Sequence, residues 1–258
     1  MEPITIPLHP VLIFAVVLAR VGGVVTFAPF WSHKAVNSKV RSLLAMMIAL
    51  IVTPVLLPRV PTPPTEVVSL VLLLGGELII GFILGFAGRL VFSALEMAAS
   101  LVGFQMGLSL ASTIDPATQA QTAALGILAQ MLGLMVMLGT DGHHWMLEIT
   151  VRSFQLVSPG GLAMNDSMAE IMLRLSADAL AVGVALAAPA IIVLMSLDSL
   201  LAIAGRVAPK LEVLLLGFPL KIGVGLWLIG ASIFFLPNAI RTAFETLRHT
   251  VNRLLAAM

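Results

Sequence analysis

The fold class of this chain is predicted by one apolar segment, Val67-Val-Ser-Leu-Val-Leu-Leu-Leu-Gly-Gly-Glu77-Leu-Ile-Ile-Gly-Phe-Ile-Leu-Gly-Phe-Ala-Gly88. An α-helix of this length and apolarity can cross the hydrocarbon core of a bilayer. Glu77 is its single charged residue, and a charge at bilayer depth costs at least ~2.5–3.5 kcal/mol. Glu77 must therefore be paired, face water, or belong to a helix that is held out of lipid.

Other apolar runs repeat this pattern and carry charges of their own. The run from Val11 to Trp31 has Arg20 near its middle, and two later runs contain Asp198 and Lys221. Of the 258 residues, 59% are hydrophobic and only 10% are charged, whereas soluble domains carry ~25% charged residues. The sequence therefore predicts an all-α integral membrane protein.

Composition and motifs exclude several classes of function. The chain contains no cysteine, which rules out disulfides, thiol catalysis and Cys-ligated metal sites. Its net charge of +1 gives no argument for a nucleic-acid partner. The sequence has no zincin motif, no nucleophile-elbow motif and no phosphate-binding glycine loop. We therefore expect a protein that is not an enzyme and needs no cofactor.

The segment Thr140-Asp-Gly-His-His144 is the place where metal or acid chemistry deserves a test. His143 and His144 are adjacent, so on a regular element they are expected to point in different directions, and we predict no metal site. Asp141 follows Thr140 instead of the glycine that precedes the catalytic aspartate of intramembrane aspartyl proteases. We therefore predict no catalytic residue in this segment either.

Capping and glycine patterns predict helix boundaries in the first half. Ser93-Ala-Leu-Glu96 has the spacing of a capping box and predicts the start of a helix that runs to about Ser112. In that helix Gly103, Gly107 and Ala111 recur every fourth residue, which predicts a flat stripe for close helix packing. This stripe fits packing within one chain or a seam between subunits, and the sequence leaves both open.

The second half contains two further apolar runs and an amphipathic end. Ser167-Met-Ala-Glu170 is a second capping box, and apolar runs at 179–204 and 211–236 flank a basic turn that contains Arg206, Pro209 and Lys210. From Asn238 onward the apolar residues fall on one helix face and arginines on the other. That apolar face comprises Ile240, Phe244, Leu247, Val251, Leu254 and Leu255. The best internal boundary lies near 158–178, where turn and polar residues concentrate.

Loop charges conflict with a simple topology. If both of the runs at 179–204 and 211–236 cross the membrane, the basic turn and the arginine-bearing tail lie on opposite sides, and one of them violates the positive-inside rule. The four charges within apolar runs, Arg20, Glu77, Asp198 and Lys221, fit either an ion- or proton-coupled transporter or structural pairs. The residues alone leave both interpretations open.

An ordered set of motifs resembles a known family. The set is Gln105-Met-Gly-Leu-Ser109, Asp115-Pro116, Gly142-His-His144, Phe154 with Pro159-Gly-Gly161, and Pro209-Lys-x-Glu-Val-x-x-x-Gly217-Phe-Pro219-x-Lys221. Together they are similar to the flagellar export-apparatus FliR family, whose injectisome counterpart is the SctT-type subunit. The resemblance covers the whole chain, and the Gly-His-His pair favours the flagellar branch over the virulence branch.

The resemblance implies a protein-conducting gate. One FliR-type subunit would complete a helical ring of FliP-type and FliQ-type subunits and pass unfolded flagellar subunits, with FlhB-type and FlhA-type proteins as partners. Residues 1–175 would be FliP-like, and 176–258 would form a FliQ-like hairpin plus the amphipathic C-terminal helix. The complex would sit in the bacterial inner membrane within the flagellar basal body, in contact with lipid.

The resemblance also implies a pore plug at 107–121. Small residues there could pack densely across a narrow lumen, and the four buried charges would then be assembly contacts. The implied gate and plug residues are Gln105, Gly107, Ser109, Leu110, Ala111, Ser112, Thr113, Ile114, Asp115 and Pro116.

Overall fold

The computed structural model describes residues 8–29, 31–32, 36–58, 63–64, 66–108, 119–162, 166–207 and 213–257. All regular secondary structure within these ranges is helical, which confirms the all-α prediction. The helices in this part of the chain are α1 (Leu8–Phe27), α2 (Ser38–Leu56), α3 (Val67–Gln105), α4 (Gln119–Gly139), α5 (Gly142–Leu156), α6 (Asp166–Val207), α7 (Val213–Ser232) and α8 (Leu236–Ala257).

Local chemistry explains several helix boundaries. The Asn37 side chain caps α2 by accepting a hydrogen bond from the backbone N–H of Lys39 at 3.0 Å. Asp141 has a left-handed backbone with φ 56° and separates α4 from α5, as the polar 140–144 segment predicts. Helix α6 begins at Asp166, beside the predicted capping box at Ser167.

The predicted helix start at Ser93 is wrong. Helix α3 runs without a break from Val67 to Gln105, so Ser93 and Glu96 lie in its interior. A capping box satisfies the free N–H groups of a helix end, but nothing before Ser93 stops the preceding helix. Arg89-Leu-Val-Phe92 contains neither glycine nor proline and simply continues the helical run.

The predicted continuation of this helix to Ser112 is also wrong within the described residues, because α3 ends at Gln105. Gly107 takes a left-handed backbone with φ 83°, and its N–H donates to the carbonyl oxygen of Phe104 at 3.0 Å. A left-handed glycine just after the last turn is a common way to end a helix. Gly107 therefore lies in a turn beyond the helix, while Ala111 lies outside the described residues.

The chain divides into two compact units that alternate along the sequence. Unit one comprises residues 1–89, 141–175 and 245–258, and unit two comprises 90–140 and 176–244. Helices α3, α6 and α8 each contribute residues to both units. The predicted division at residues 175 and 176 into FliP-like and FliQ-like parts stays a prediction.

Glycines allow close helix packing in unit one. A Cβ atom at Gly23 of α1 would lie 2.7 Å from the carbonyl oxygen of Leu78 on α3. A Cβ atom at Gly81 would overlap the carbonyl oxygen of Arg20. The two backbones are therefore in direct contact, as in small-residue packing between membrane helices. The ring of Phe27 meets that of Phe82 edge-on beside this contact, with centroids 4.4 Å apart.

Unit two has its own apolar core. Ala98 and Val102 on α3 and Met106 in the turn after it are buried together with Ala187 and Leu194 on α6. Side chains of α7, among them Ile222, Val224 and Leu228, pack against this cluster. An apolar cavity of about 420 Å³ lies beside it, with Val102, Leu125, Leu186 and Leu228 among its lining residues.

Four of the described helices, α1, α2, α3 and α6, are long and apolar enough to cross a membrane. Two bent pairs, Leu125–Gly139 with Gly142–Leu156 and Gly217–Ser232 with Leu236–Leu255, pass the same criteria only as pairs. In α8 all six residues of the predicted apolar face are buried, and Arg241, Arg248 and Arg253 are exposed. The amphipathic face predicted from the sequence is therefore the buried face.

Candidate functional site

The first charge cluster is centred on Arg20 and lies in unit one. Arg20 Nε of α1 donates to Glu77 Oε2 of α3 at 2.6 Å, and both side chains are shielded from solvent, at 0% and 1% exposure. Arg20 Nη1 donates to Ser153 Oγ and Nη2 to the carbonyl oxygen of Val157, each at 3.1 Å. We call Arg20, Glu77, Ser153, Val157 and their neighbours the Arg20 cluster.

Two further contacts complete the Arg20 cluster. The guanidinium carbon lies 4.0 Å from the centroid of the Phe154 ring, a cation–π geometry. Glu77 Oε1 accepts a hydrogen bond from the backbone N–H of Gly160 at 3.1 Å. The carboxylate thus uses one oxygen for the guanidinium and the other for the turn that follows α5.

Charge patterning identified Arg20 and Glu77, but sequence reasoning missed their other partners. Ser153 had no signal that distinguishes it from other helical serines. Phe154 and the Pro159-Gly-Gly161 turn were among the motifs of the resemblance, and this was the available signal. The structure explains why this turn matters, because its Gly160 N–H donates a hydrogen bond to the Glu77 carboxylate.

The Arg20 cluster has the features of a structural element. A buried charge is tolerable when it is paired and its remaining polar atoms are hydrogen-bonded. A proton relay needs groups that exchange protons with water, and neither member of this pair reaches solvent. Its geometry fits a rigid joint between α1, α3 and the end of α5.

The second charge cluster lies in unit two. Lys221 Nζ of α7 forms an ion pair with Asp198 Oδ1 of α6. Gln105 Nε2, at the last residue of α3, donates to Asp198 Oδ2 at 3.1 Å. The Asp198 side chain is 40% exposed and that of Lys221 is 18% exposed, so this cluster is far more open than the first. We call these three residues the Asp198 cluster.

A second cavity adjoins the Asp198 cluster. It has a volume of about 350 Å³ and is lined by Asp198, Lys221, Phe218 and the small residues Ala202, Gly205 and Gly217. The sequence pointed to four charged residues within apolar runs. In the structure they form two ion pairs within one chain, Arg20 with Glu77 and Asp198 with Lys221. Their predicted role as assembly contacts with other subunits stays a prediction.

The histidine pair differs from its predicted geometry. The rings of His143 and His144 lie side by side with centroids 4.1 Å apart, so the expectation that they point in different directions is wrong. Both belong to the first turn of α5, where the left-handed Asp141 brings its carboxylate 3.2 Å from His144 Nδ1. The ligand atoms of all three lie within 4.8 Å of one another. The prediction that this segment holds no metal stays a prediction.

Most of the predicted plug lies outside the described residues. Gln105 and Gly107 are described, whereas Ser109, Leu110, Ala111, Ser112, Thr113, Ile114, Asp115 and Pro116 are not. Of the predicted hairpin turn, Arg206 lies in the last turn of α6, and Pro209 and Lys210 are outside the described ranges. In the packing stripe, a Cβ atom at Gly103 would lie 3.2 Å from Leu125 Cδ1 of α4.

Comparisons with known proteins identify the family. The family described as "Bacterial export proteins, family 1" matches residues 11–247. The chain belongs to this family. The chain is 33% identical to the flagellar biosynthetic protein FliR of Escherichia coli K12, over 83% of this chain and 81% of the relative. It is 29% identical to FliR of Bacillus subtilis 168, over 94% of each protein.

A relative with a different name is the Yop proteins translocation protein T of Yersinia pestis. It is 26% identical to this chain, over 83% of this chain and 82% of the relative. The FliR resemblance read from the motifs is therefore confirmed, as is its link to the SctT-type branch. Family membership together with the long apolar helices makes this export protein an integral membrane subunit of a type III export apparatus.

Proposed function

We propose that this chain is the FliR-type subunit of a flagellar export gate in the bacterial inner membrane, within the flagellar basal body. The observation that carries the proposal is the family match over residues 11–247. The flagellar assignment is favoured because the flagellar relatives cited above reach 33% and 29% identity, against 26% for the Yop translocation protein.

In this gate a single copy of the chain completes a helical pore of FliP-type and FliQ-type subunits. The pore conducts unfolded flagellar subunits, and FlhB-type and FlhA-type proteins act on it. Large apolar side chains that stay exposed in the isolated chain support such an assembly, because they need lipid or another subunit to cover them. Examples are Leu50 and Ile51 on α2 and Leu173 and Ile192 on α6.

The pore is closed by the segment 107–121, which begins at the turn after α3. The support for this position is the sequence, since small and polar residues dominate it between two apolar helices. Small residues can pack without large voids across a narrow path and can be displaced without exposing much apolar surface.

Deletion of residues 110–116 tests the gate. The complex should still assemble, and the membrane should leak small ions, measured as loss of the potassium gradient in cells that express the variant. The same deletion in a strain without the FliP-type subunit is the control, and it should stay tight because no pore forms. A tight membrane around a normally assembled variant complex would contradict the plug.

The Arg20 cluster argues against the transporter interpretation, because its charges are paired with each other and shielded from water. Native mass of the detergent-extracted protein separates the two functions. A complex of many subunits supports the gate, and a 27.2 kDa monomer that takes up solute in liposomes supports the transporter. Restoration of swimming to a strain that lacks its own FliR would support the flagellar role. Restored secretion in an injectisome mutant without restored swimming would support the virulence role.

A further inference from the structure

The last residue of α3 and the two residues that follow it each contact the α6–α7 pair. Gln105 donates to Asp198 of α6, which is itself paired with Lys221 of α7. Met106 lies against Gly225, and Gly107 lies against the Phe218 ring. On α7 the residues Phe218, Lys221 and Gly225 have the spacing i, i+3, i+7, so they form one stripe of the helix surface. All of these residues belong to unit two.

The Met106 contact is tight and apolar. Met106 is 1% exposed, and a Cβ atom at Gly225 would lie 2.6 Å from its sulfur. Gly225 therefore provides a slot for the Met106 side chain, and a larger residue would expel it. Next to it, a Cβ atom at Gly107 would lie 2.9 Å from Phe218 Cε1. These two contacts depend on shape and hold the turn close to α7.

The hydrogen bond from Gln105 to Asp198, beside this slot, is more accessible to solvent than the Met106 contact. The Asp198 side chain is 40% exposed and adjoins a cavity of about 350 Å³. Water in such a cavity can replace the Gln105 amide as a hydrogen-bond partner of the carboxylate at little cost. The Asp198 cluster can therefore open without exposing apolar surface, which makes it the releasable part of the contact.

We propose that Gln105, Asp198 and Lys221 form a clamp that positions the start of the gate segment on the α6–α7 pair. The clamp fixes where the chain leaves α3, with the Met106 contact as its apolar part and the Asp198 cluster as its releasable polar part. This inference rests on the proposed function, because it takes the residues after Gly107 as the plug.

The test uses the absence of native cysteine. Leu108, which packs against the core of unit two, is replaced by cysteine, and the rate of maleimide labelling is measured in the assembled complex. Gln105→Met removes the hydrogen bond to the Asp198 carboxylate, and Asp198→Asn removes the negative charge that accepts it. Each variant should raise this rate about ten-fold, the effect of losing a hydrogen bond to a charged group. Glu170→Gln is the matched control, because it weakens an exposed carboxylate–arginine pair on the same helix α6.

The two variants and two readouts keep the outcomes separate. Gln105→Met leaves the Lys221–Asp198 ion pair in place, so it reports on the clamp even if Asp198→Asn does not assemble. Labelling within two-fold of the Leu108→Cys parent, in a Gln105→Met complex of normal yield, would overturn the clamp. Faster labelling together with a potassium leak supports both the clamp and the gate. Faster labelling with a tight membrane supports the clamp and overturns the position of the plug.

Discussion

Removal of the Glu77 carboxylate should destabilise the protein far more than removal of an exposed carboxylate. Glu77→Ala deletes the 2.6 Å bond to Arg20 and the 3.1 Å bond from the Gly160 N–H. Arg20 keeps Ser153 and Val157 as partners, but its charge stays buried at 0% exposure without a counter-ion.

The expected loss of unfolding free energy is about 3–5 kcal/mol, the range for breaking a buried ion pair by removing one partner. The control is Glu170→Ala, which breaks an exposed pair on α6 whose side chains are 62% and 73% exposed. That change should cost less than ~1 kcal/mol, because exposed ion pairs contribute little. The comparison isolates the effect of burial on the free energy of unfolding, since both pairs join a glutamate to an arginine.

A double-mutant cycle supplies the decisive measurement. Arg20→Met, Glu77→Met and the double variant are compared by the midpoint of unfolding in denaturing detergent and by the fraction of chain found in the assembled complex. We expect a coupling energy of ~2–3 kcal/mol, because the double variant leaves no buried charge behind. Additive effects, with the double variant as unstable as the sum of the single ones, would refute the argument that the charges matter as a pair.

Two further predictions concern packing. Gly23→Ala should cost about 1–3 kcal/mol by overpacking, because the new Cβ would lie 2.7 Å from the Leu78 carbonyl oxygen. Gly22→Ala, which meets nothing within 4 Å, should instead stabilise α1 by ~0.5–1 kcal/mol; equal melting temperatures for the two variants would contradict the close α1–α3 contact. On α8, Leu247→Asp should lower the yield of folded protein because Leu247 is buried, whereas Arg248→Ala should leave it unchanged. Similar yields of these two variants in a gel-filtration assay would show that α8 does not bury its apolar face.

The sequence predicted the features that depend on composition and period. Long apolar runs gave the helical class, and the 3.6-residue period gave the buried face of α8 down to single residues. The break at Asp141 also followed from local chemistry, because a short polar segment with glycine interrupts two apolar runs.

What the sequence did not predict depends on contacts between distant residues. The capping box at Ser93 has the right local pattern, but an uninterrupted apolar run overrides it and α3 continues. The pairing of Arg20 with Glu77 crosses 57 positions and that of Gln105 with Asp198 crosses 93. Residue type and spacing can show that such charges need partners, but only the packing of the helices selects which partners they have.

The charge clusters also explain how apolar helices with smooth surfaces can adopt one register. The α1–α3 contact is built on Gly23 and Gly81, and a flat glycine surface offers few side-chain ridges to prevent sliding. A directed bond from Arg20 Nε to Glu77 Oε2 is satisfied at one register only. Displacement by one helical turn, 5.4 Å, would separate the two charges within a low-dielectric interior, where unpaired charge is most costly. Buried polar pairs are best attested as devices that fix register. On this argument the charges in the apolar runs set the alignment of the helices, and they do not need to carry ions.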